Sequence, residues 1–189
     1  LIVGISLVMS RARAVRDARG LVPAGKFLRR GAGIFALGLL VTLGTWLYLP
    51  QNYVVFGILH LIGVSVMLSS LFFRFERWNI IIGTGVVLLG WAIAGTTGPA
   101  FLLPLGIMPP GFASVDYTPL FPWLGAVLIG LGLGSFLYTG GERQFRIPPV
   151  PGIVVVPLSF LGRHSLVIYL IHQPVIFLVL ALVTGTPVL

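Results

Sequence analysis

Proton-moving chemistry in this sequence rests on its histidines and one isolated carboxylate. His60 lies in Phe56-Gly-Ile-Leu-His-Leu-Ile-Gly63, and an imidazole, with a pKa near the working pH, suits general base catalysis. Asp116 stands alone in Ser114-Val-Asp-Tyr-Thr118, where a carboxylate could orient or charge a nearby histidine. Ser165, Tyr169 and His172 fall at i, i+4 and i+7 of one helix, with Gln173 beside them. Side chains at that spacing share a face. Pro174 cannot donate to the carbonyl of Leu170 and is expected to kink the helix there. A third group is basic: Lys26, Arg29 and Arg30, with Arg163 and His164 further on, could grip phosphates.

Each group has a plain structural alternative. His60 could be a core histidine hydrogen-bonded to a neighbouring helix. The Tyr169–His172 face could clamp two helices together, Asp116 could cap a helix, and the cations could set topology or touch lipid headgroups. Three histidines without nearby acids do not make a metal ligand set, so no metal is expected. No Ser–His–Asp triad or carboxylate pair is present, and the absence of cysteine removes thiolate chemistry.

The elements that hold these residues are membrane spans. Of the 189 residues 57% are hydrophobic and 8% charged, and the mean hydropathy is +1.07. A soluble domain carries roughly 25% charged residues, and one this short could not hide so much apolar surface from water. The expected architecture is an all-α membrane bundle of about five complete helices plus the remnant of another. Complete spans are read over Gly31–Leu49, Val54–Phe73, Asn79–Thr97, Leu120–Tyr138 and Leu158–Val183, each near the roughly 20 residues a bilayer needs. Leu1–Ser10 reads as the tail of a helix whose beginning precedes this sequence. The whole of 1–189 is read as one transmembrane domain lacking its N-terminal helix or helices.

If each span crosses once, all 12 Lys and Arg residues fall on one side. That side is cytoplasmic by the positive-inside rule, and the C-terminus lies outside. The same reading disposes of the net charge of +8 without nucleic acid. His60 then sits about 9 Å below the outer end of its helix, and His172 about 21 Å from the inner end of its own. Ionisable groups at such depth are functional candidates. Glycines such as Gly83, Gly85, Gly90, Gly130, Gly132 and Gly134 are read as helix packing in lipid, not as a phosphate loop. The apolar, proline-rich connection 98–119 is expected to lie at the outer interface or dip back as a lid.

Four stretches carry a family resemblance. Leu1–Ser10, Lys26-Phe-Leu-Arg-Arg-Gly31, Val55-Phe-Gly-Ile-Leu-His-Leu-Ile-Gly63 and Leu158-Ser-Phe-Leu-Gly-Arg-His-Ser-Leu-Val-Ile-Tyr-Leu-Ile-His172, joined by Asp116-Tyr-Thr-Pro-Leu-Phe-Pro-Trp123, resemble the heparan-α-glucosaminide N-acetyltransferase catalytic-domain family and its prokaryotic members. The likeness spans nearly the whole chain. It implies a transmembrane acyltransferase in a prokaryotic plasma membrane, with acetyl-CoA or another acyl-CoA as co-substrate. The acyl group would pass from the cytoplasmic side to an amine or hydroxyl, of a sugar, outside. On that reading His60 and Asp116 are catalytic. Tyr169, His172 and Gln173 bind substrate, and Lys26, Arg29, Arg30 and Arg163 hold the CoA phosphates. The alternative is a transporter or flippase of a lipid-linked or small polar molecule, to which midplane polar groups and a Pro-broken helix also belong. No inverted repeat relates the halves of the chain.

Overall fold

The computed structural model describes residues 1–17, 24–146, 148 and 151–184, without the side chains of 24, 173, 174, 177, 178, 180, 181 and 184. The helices are α1 (Ile2–Asp17), α2 (Ala24–Tyr48), α3 (Ile58–Phe72), α4 (Asn79–Ile93), α5 (Leu120–Leu137), α6 (Gly152–Arg163) and α7 (Ser165–Thr184). Helix, 3-10 turns included, accounts for 77% of the described residues. Among the described residues the sole β pairing is an isolated bridge between Thr97 and Met108. The chain forms two compact units, Leu1–Phe145 and Arg146–Leu189.

In the first unit helices meet backbone to backbone at glycines. A Cβ at Gly31 of α2 would lie 2.6 Å from the carbonyl of Gly63 in α3, and one at Gly83 of α4 would lie 2.6 Å from that of Gly125 in α5. Gly90 faces Pro122, Gly132 faces Ile80, Gly130 faces Leu1, and Gly134 faces Ile5 and Val8. These are the close approaches that helix association in lipid requires. Gly85 differs, since nothing lies within 4 Å of its added Cβ.

The contacts fix helix direction. Pairs 31–67 and 38–60 make α2 and α3 antiparallel, and pairs 80–132 and 90–122 do the same for α4 and α5. Pairs 1–130, 5–134 and 12–141 make α1 parallel to α5. Arg11 of α1 donates through Nη1 to the Phe73 carbonyl (3.1 Å) and stacks on the Phe73 ring, so α3 ends where α1 ends. The helices therefore alternate in direction along the sequence. One end of this unit gathers Arg11, Lys26, Arg29, Arg30, Arg74, Arg77 and Arg143; His60 and Asp116 stand at the other.

By length and composition, Gly25–Tyr48, Ile58–Ile93 and Leu120–Leu137 can cross a membrane, and the bent pair Gly152–Arg163 with Ser165–His172 adds a fourth stretch. The 36 residues Ile58–Ile93 would reach about 54 Å if straight, against a hydrocarbon core of about 30 Å. The chain instead reverses within Phe73–Trp78, where Glu76 adopts φ 43° and ψ −120°. A non-glycine residue at positive φ must be held there by its surroundings. Buried Asn79 does so, donating through Nδ2 to the carbonyls of Phe72 and Glu76, both at 2.9 Å.

Three boundaries differ most from the sequence expectation, one being that α2 begins at Ala24 and not at Gly31. The first helix continues through the basic stretch to Asp17, with Arg16 in a last turn whose carbonyls favour a cation. The last expected span, Leu158–Val183, is broken: α6 and α7 meet at His164 with a 65° bend. The His164 imidazole turns back to the Phe160 carbonyl (Nδ1 to O 2.9 Å). The helical backbone of α7 continues through position 174, so the sharp bend comes ten residues before the proline expected to cause it.

Candidate functional site

The N-terminus of α3 is the best-defined polar centre in the first unit. A helix begins with backbone N–H groups that lack intrahelical acceptors. Gly57 is the N-cap of α3 and His60 the N3 residue. The Gly57 N–H donates to His60 Nδ1 (3.2 Å). That is a capping box with imidazole in the place usually taken by Glu or Gln. The next donor, Ile58 N–H, goes to Asp116 Oδ2 (3.2 Å), and the Thr118 hydroxyl donates to Asp116 Oδ1 (3.1 Å). Asp116 is thus a cap as well as a candidate group, but it caps α3 from 58 residues away. Its charge also acts on the imidazole through space.

Glycines make room for this arrangement. A Cβ at Gly57 would fall on the Asp116 carboxylate, 2.9 Å from its Cγ. One at Gly38 of α2 would press on the His60 ring, 3.0 Å from Cε1 and 3.1 Å from both Nδ1 and Nε2. Phe35 meets the ring edge-on at 5.0 Å between centroids, and Phe56 stacks on it at 5.4 Å. His60 is 2% exposed. Its Nε2 is buried and has no hydrogen-bond partner among the described residues.

The connection 98–119 closes over this end. Val115 N–H donates to the Asn52 carbonyl (2.9 Å) and Thr118 N–H to that of Phe56 (2.8 Å). The Ser114 hydroxyl donates to the Tyr53 carbonyl (2.9 Å). Its first half is pinned by Tyr117, whose hydroxyl donates to the Leu103 carbonyl (2.6 Å). Burial pushes the Tyr117 phenol above its ordinary value. The lid expected from apolar composition is therefore a hydrogen-bonded flap, with Phe101 and Val115 exposed on it.

The basic group is a separate feature of the same unit. Lys26, Arg29 and Arg30, with Gly25 and Gly33, line an open groove of about 570 Å³. At 100° per residue this face of α2 points well away from the Phe27–Gly31–Gly38 face that packs on α3. The fold gathers the three cations but does not turn them toward His60. Along the helix axis they stand about 12–18 Å from the level of Gly38.

In the second unit, the Tyr169 and His172 rings lie 5.2 Å apart. His172 Nδ1 bonds the Tyr169 carbonyl. A carbonyl only accepts, so Nδ1 is the donor of that contact. Arg163 is exposed at the end of α6. Gln173, the remaining expected site residue, lies outside the described side chains. No group of three or more His, Cys, Asp or Glu among the described residues could hold a metal ion.

Sequence reading missed Gly38, Gly57 and Asn79. The signal for Gly57 was present as a cap-x-x-acceptor pattern, Gly57 to His60, once histidine is counted as an acceptor. Gly38 is defined by a contact from another helix, and Asn79 by bonds to carbonyls three and seven residues earlier in the Glu76 turn.

Searches of curated proteins and of solved structures returned no match. One family model matches, described as "Heparan-alpha-glucosaminide N-acetyltransferase, catalytic", over residues 1–174. That match takes in both helical units and every candidate residue above, so the chain belongs to the heparan-alpha-glucosaminide N-acetyltransferase catalytic family.

Proposed function

We infer that this protein is a transmembrane acyltransferase that moves an acyl group, acetyl in the first instance, from cytoplasmic acyl-CoA to an amine or hydroxyl of a sugar on the outer side. Family membership supports acetyl transfer within a membrane. The observation that carries the assignment to particular residues is His60 Nε2, buried without a partner among the described residues at the end of the unit opposite the cations. Buried polar atoms are ordinarily satisfied, and an orphan among apolar neighbours fits a place reserved for a substrate group.

In this reading α1 to α5 and the α6–α7 pair are crossings of one transmembrane domain. The basic end is cytoplasmic and the C-terminus outside, following the positive-inside rule. Lys26, Arg29, Arg30 and Arg163 hold the CoA phosphates through charge-assisted hydrogen bonds. The extended pantetheine arm separates those phosphates from the thioester, so phosphate anchor and reacting carbon need not share a level. His60 contacts the reacting groups. Asp116 holds His60 in place by fixing the first turn of α3. Tyr169, His172 and Gln173 bind the acceptor.

The test uses the purified full-length protein in lipid nanodiscs with acetyl-CoA and glucosamine, which offers an amine and hydroxyls together. Free CoA thiol should appear in step with acetylated sugar, and His60→Ala should lower the rate by about 10²–10³-fold, the usual effect of removing one transition-state contact. Wild-type turnover by a folded His60→Ala protein would remove His60 from the site.

A further inference from the structure

We propose that His60 serves acyl transfer as a hydrogen-bond donor through Nε2–H, stabilising the oxyanion of the acyl carbonyl, and not as the base that deprotonates the acceptor. This rests on the acyltransferase reading above and assigns the role of one residue within it.

The argument begins with the tautomer. The Gly57 N–H has one proton and no lone pair, so His60 Nδ1 must be the acceptor of that bond. A neutral imidazole with a lone pair at Nδ1 carries its proton on Nε2. Nε2 therefore cannot take a proton, because it already holds one. Protonating Nδ1 would set two N–H groups against each other and leave the first donor of α3 without an acceptor. The cap thus commits the ring to presenting N–H at Nε2.

That N–H has no partner among the described residues. The rings and backbone packed on the imidazole are Phe35, Phe56 and Gly38, with the Asp116 carboxylate at the cap on the Nδ1 side. A preoriented donor in apolar surroundings is the type of group that stabilises developing negative charge, since it need not reorganise and is not screened by water. The backbone bond at Nδ1 and the two aromatic rings fix where the proton points.

The balanced step is short. The acceptor nitrogen or oxygen attacks the thioester carbon, a C–N or C–O bond forms, and the carbonyl oxygen gains the negative charge that Nε2–H stabilises. The carbonyl re-forms, the C–S bond breaks, and its electron pair leaves on the CoA sulfur. The proton lost by the acceptor ends on that sulfur, giving free CoA thiol. His60 ends the step as it began.

Substitution separates donor from base because glutamine and glutamate both fit a capping box. In His60→Gln the side-chain oxygen accepts from Gly57 N–H while the amide NH2 donates. In His60→Glu the cap is kept and the donor is lost, but a base is supplied. With the full-length protein in nanodiscs, acetyl-CoA and glucosamine, His60→Gln should retain activity within about tenfold of wild type. His60→Glu and His60→Ala should both fall about 10²–10³-fold. The opposite order, active Glu and inactive Gln with folding intact by thermal melting, overturns the donor role. 15N NMR of histidine-labelled protein gives a readout independent of turnover: Nε2 protonated and Nδ1 bare supports the proposal, and the reverse tautomer refutes it. A wild-type protein that releases no CoA would sink the acyltransferase reading, and with it a donor role in acyl transfer. The tautomer spectrum would still show whether the ring presents Nε2–H.

Discussion

Replacing Gly38 by alanine tests whether His60 is held where the structure places it. The new methyl group would stand 3.0 Å from Cε1 of the ring and 3.1 Å from Nδ1 and Nε2. Ordinary contacts between such atoms lie at about 3.5–4.0 Å, so the ring must retreat by about 0.5 Å. Phe35 and Phe56 already flank it. Overpacking of this kind costs about 1–3 kcal/mol, and alanine returns about 0.5–1 kcal/mol because glycine is a poor helix residue. The net effect on stability is therefore modest. Activity should suffer more: a 1 Å misplacement at a reacting centre costs about 10²-fold, so half of that corresponds to about tenfold in kcat. CoA thiol release and thermal melting of the full-length protein would be measured together. Gly44→Ala on the same helix is the control, because its added Cβ meets nothing within 4 Å. A Gly38→Ala protein with wild-type kcat and an unchanged or raised melting temperature would refute the placement of the ring.

Four further outcomes follow from the same geometry. Asp116→Ala removes the acceptor of Ile58 N–H and should cost about 1 kcal/mol of stability, as lost caps do, together with activity; Asp116→Asn, which keeps an acceptor, should lose less of both in melting and turnover assays. Asn79→Ala abolishes two hydrogen bonds at the Glu76 turn and should destabilise by about 2–4 kcal/mol, read from the melting temperature in detergent. Replacing Lys26, Arg29 and Arg30 together by glutamine should raise KM for acetyl-CoA by about tenfold with kcat little changed, the modest size reflecting solvent-exposed cations. Tyr117 is favoured neutral in the folded flap, so its stabilisation is full below the ordinary phenol pKa of about 10 and declines as pH rises through the higher folded value; Tyr117→Phe should remove that alkaline dependence from a melting curve against pH.

Much of the fold was legible because lipid imposes a simple code. Apolar stretches bounded by charge or proline mark the helices, and Gly31–Leu49, Val54–Phe73, Asn79–Thr97 and Leu120–Tyr138 overlap α2 to α5 closely. The charges of the connections anticipated the alternation of helix direction that the glycine contacts display. Local signals failed where tertiary contact decides. Gly162 and Ser165 flank the break at His164 and are poor helix-interior residues, but small residues are common inside membrane helices, so the signal does not stand out. Pro174 is the stronger written signal, yet the α7 backbone carries on through it. At the candidate site the residue types were readable, since a histidine and a lone acid in apolar sequence stand out. Their bonds were not: Asp116 reaches Ile58 through the folding of the 98–119 connection, and the ring's orientation depends on Gly38 from another helix.

Sidedness of the transfer bears most directly on the account as a whole. Full-length protein would be reconstituted into sealed liposomes and its orientation assigned by protease access to the Arg74–Trp78 turn. Acetyl-CoA would be supplied on the face bearing that turn and glucosamine on the other. Acetylated sugar accumulating on the far side, with free CoA appearing on the near side and no product when donor and acceptor exchange places, is the predicted result. Sugar crossing unmodified, or acetyl-CoA left intact in the presence of acceptor, would contradict it.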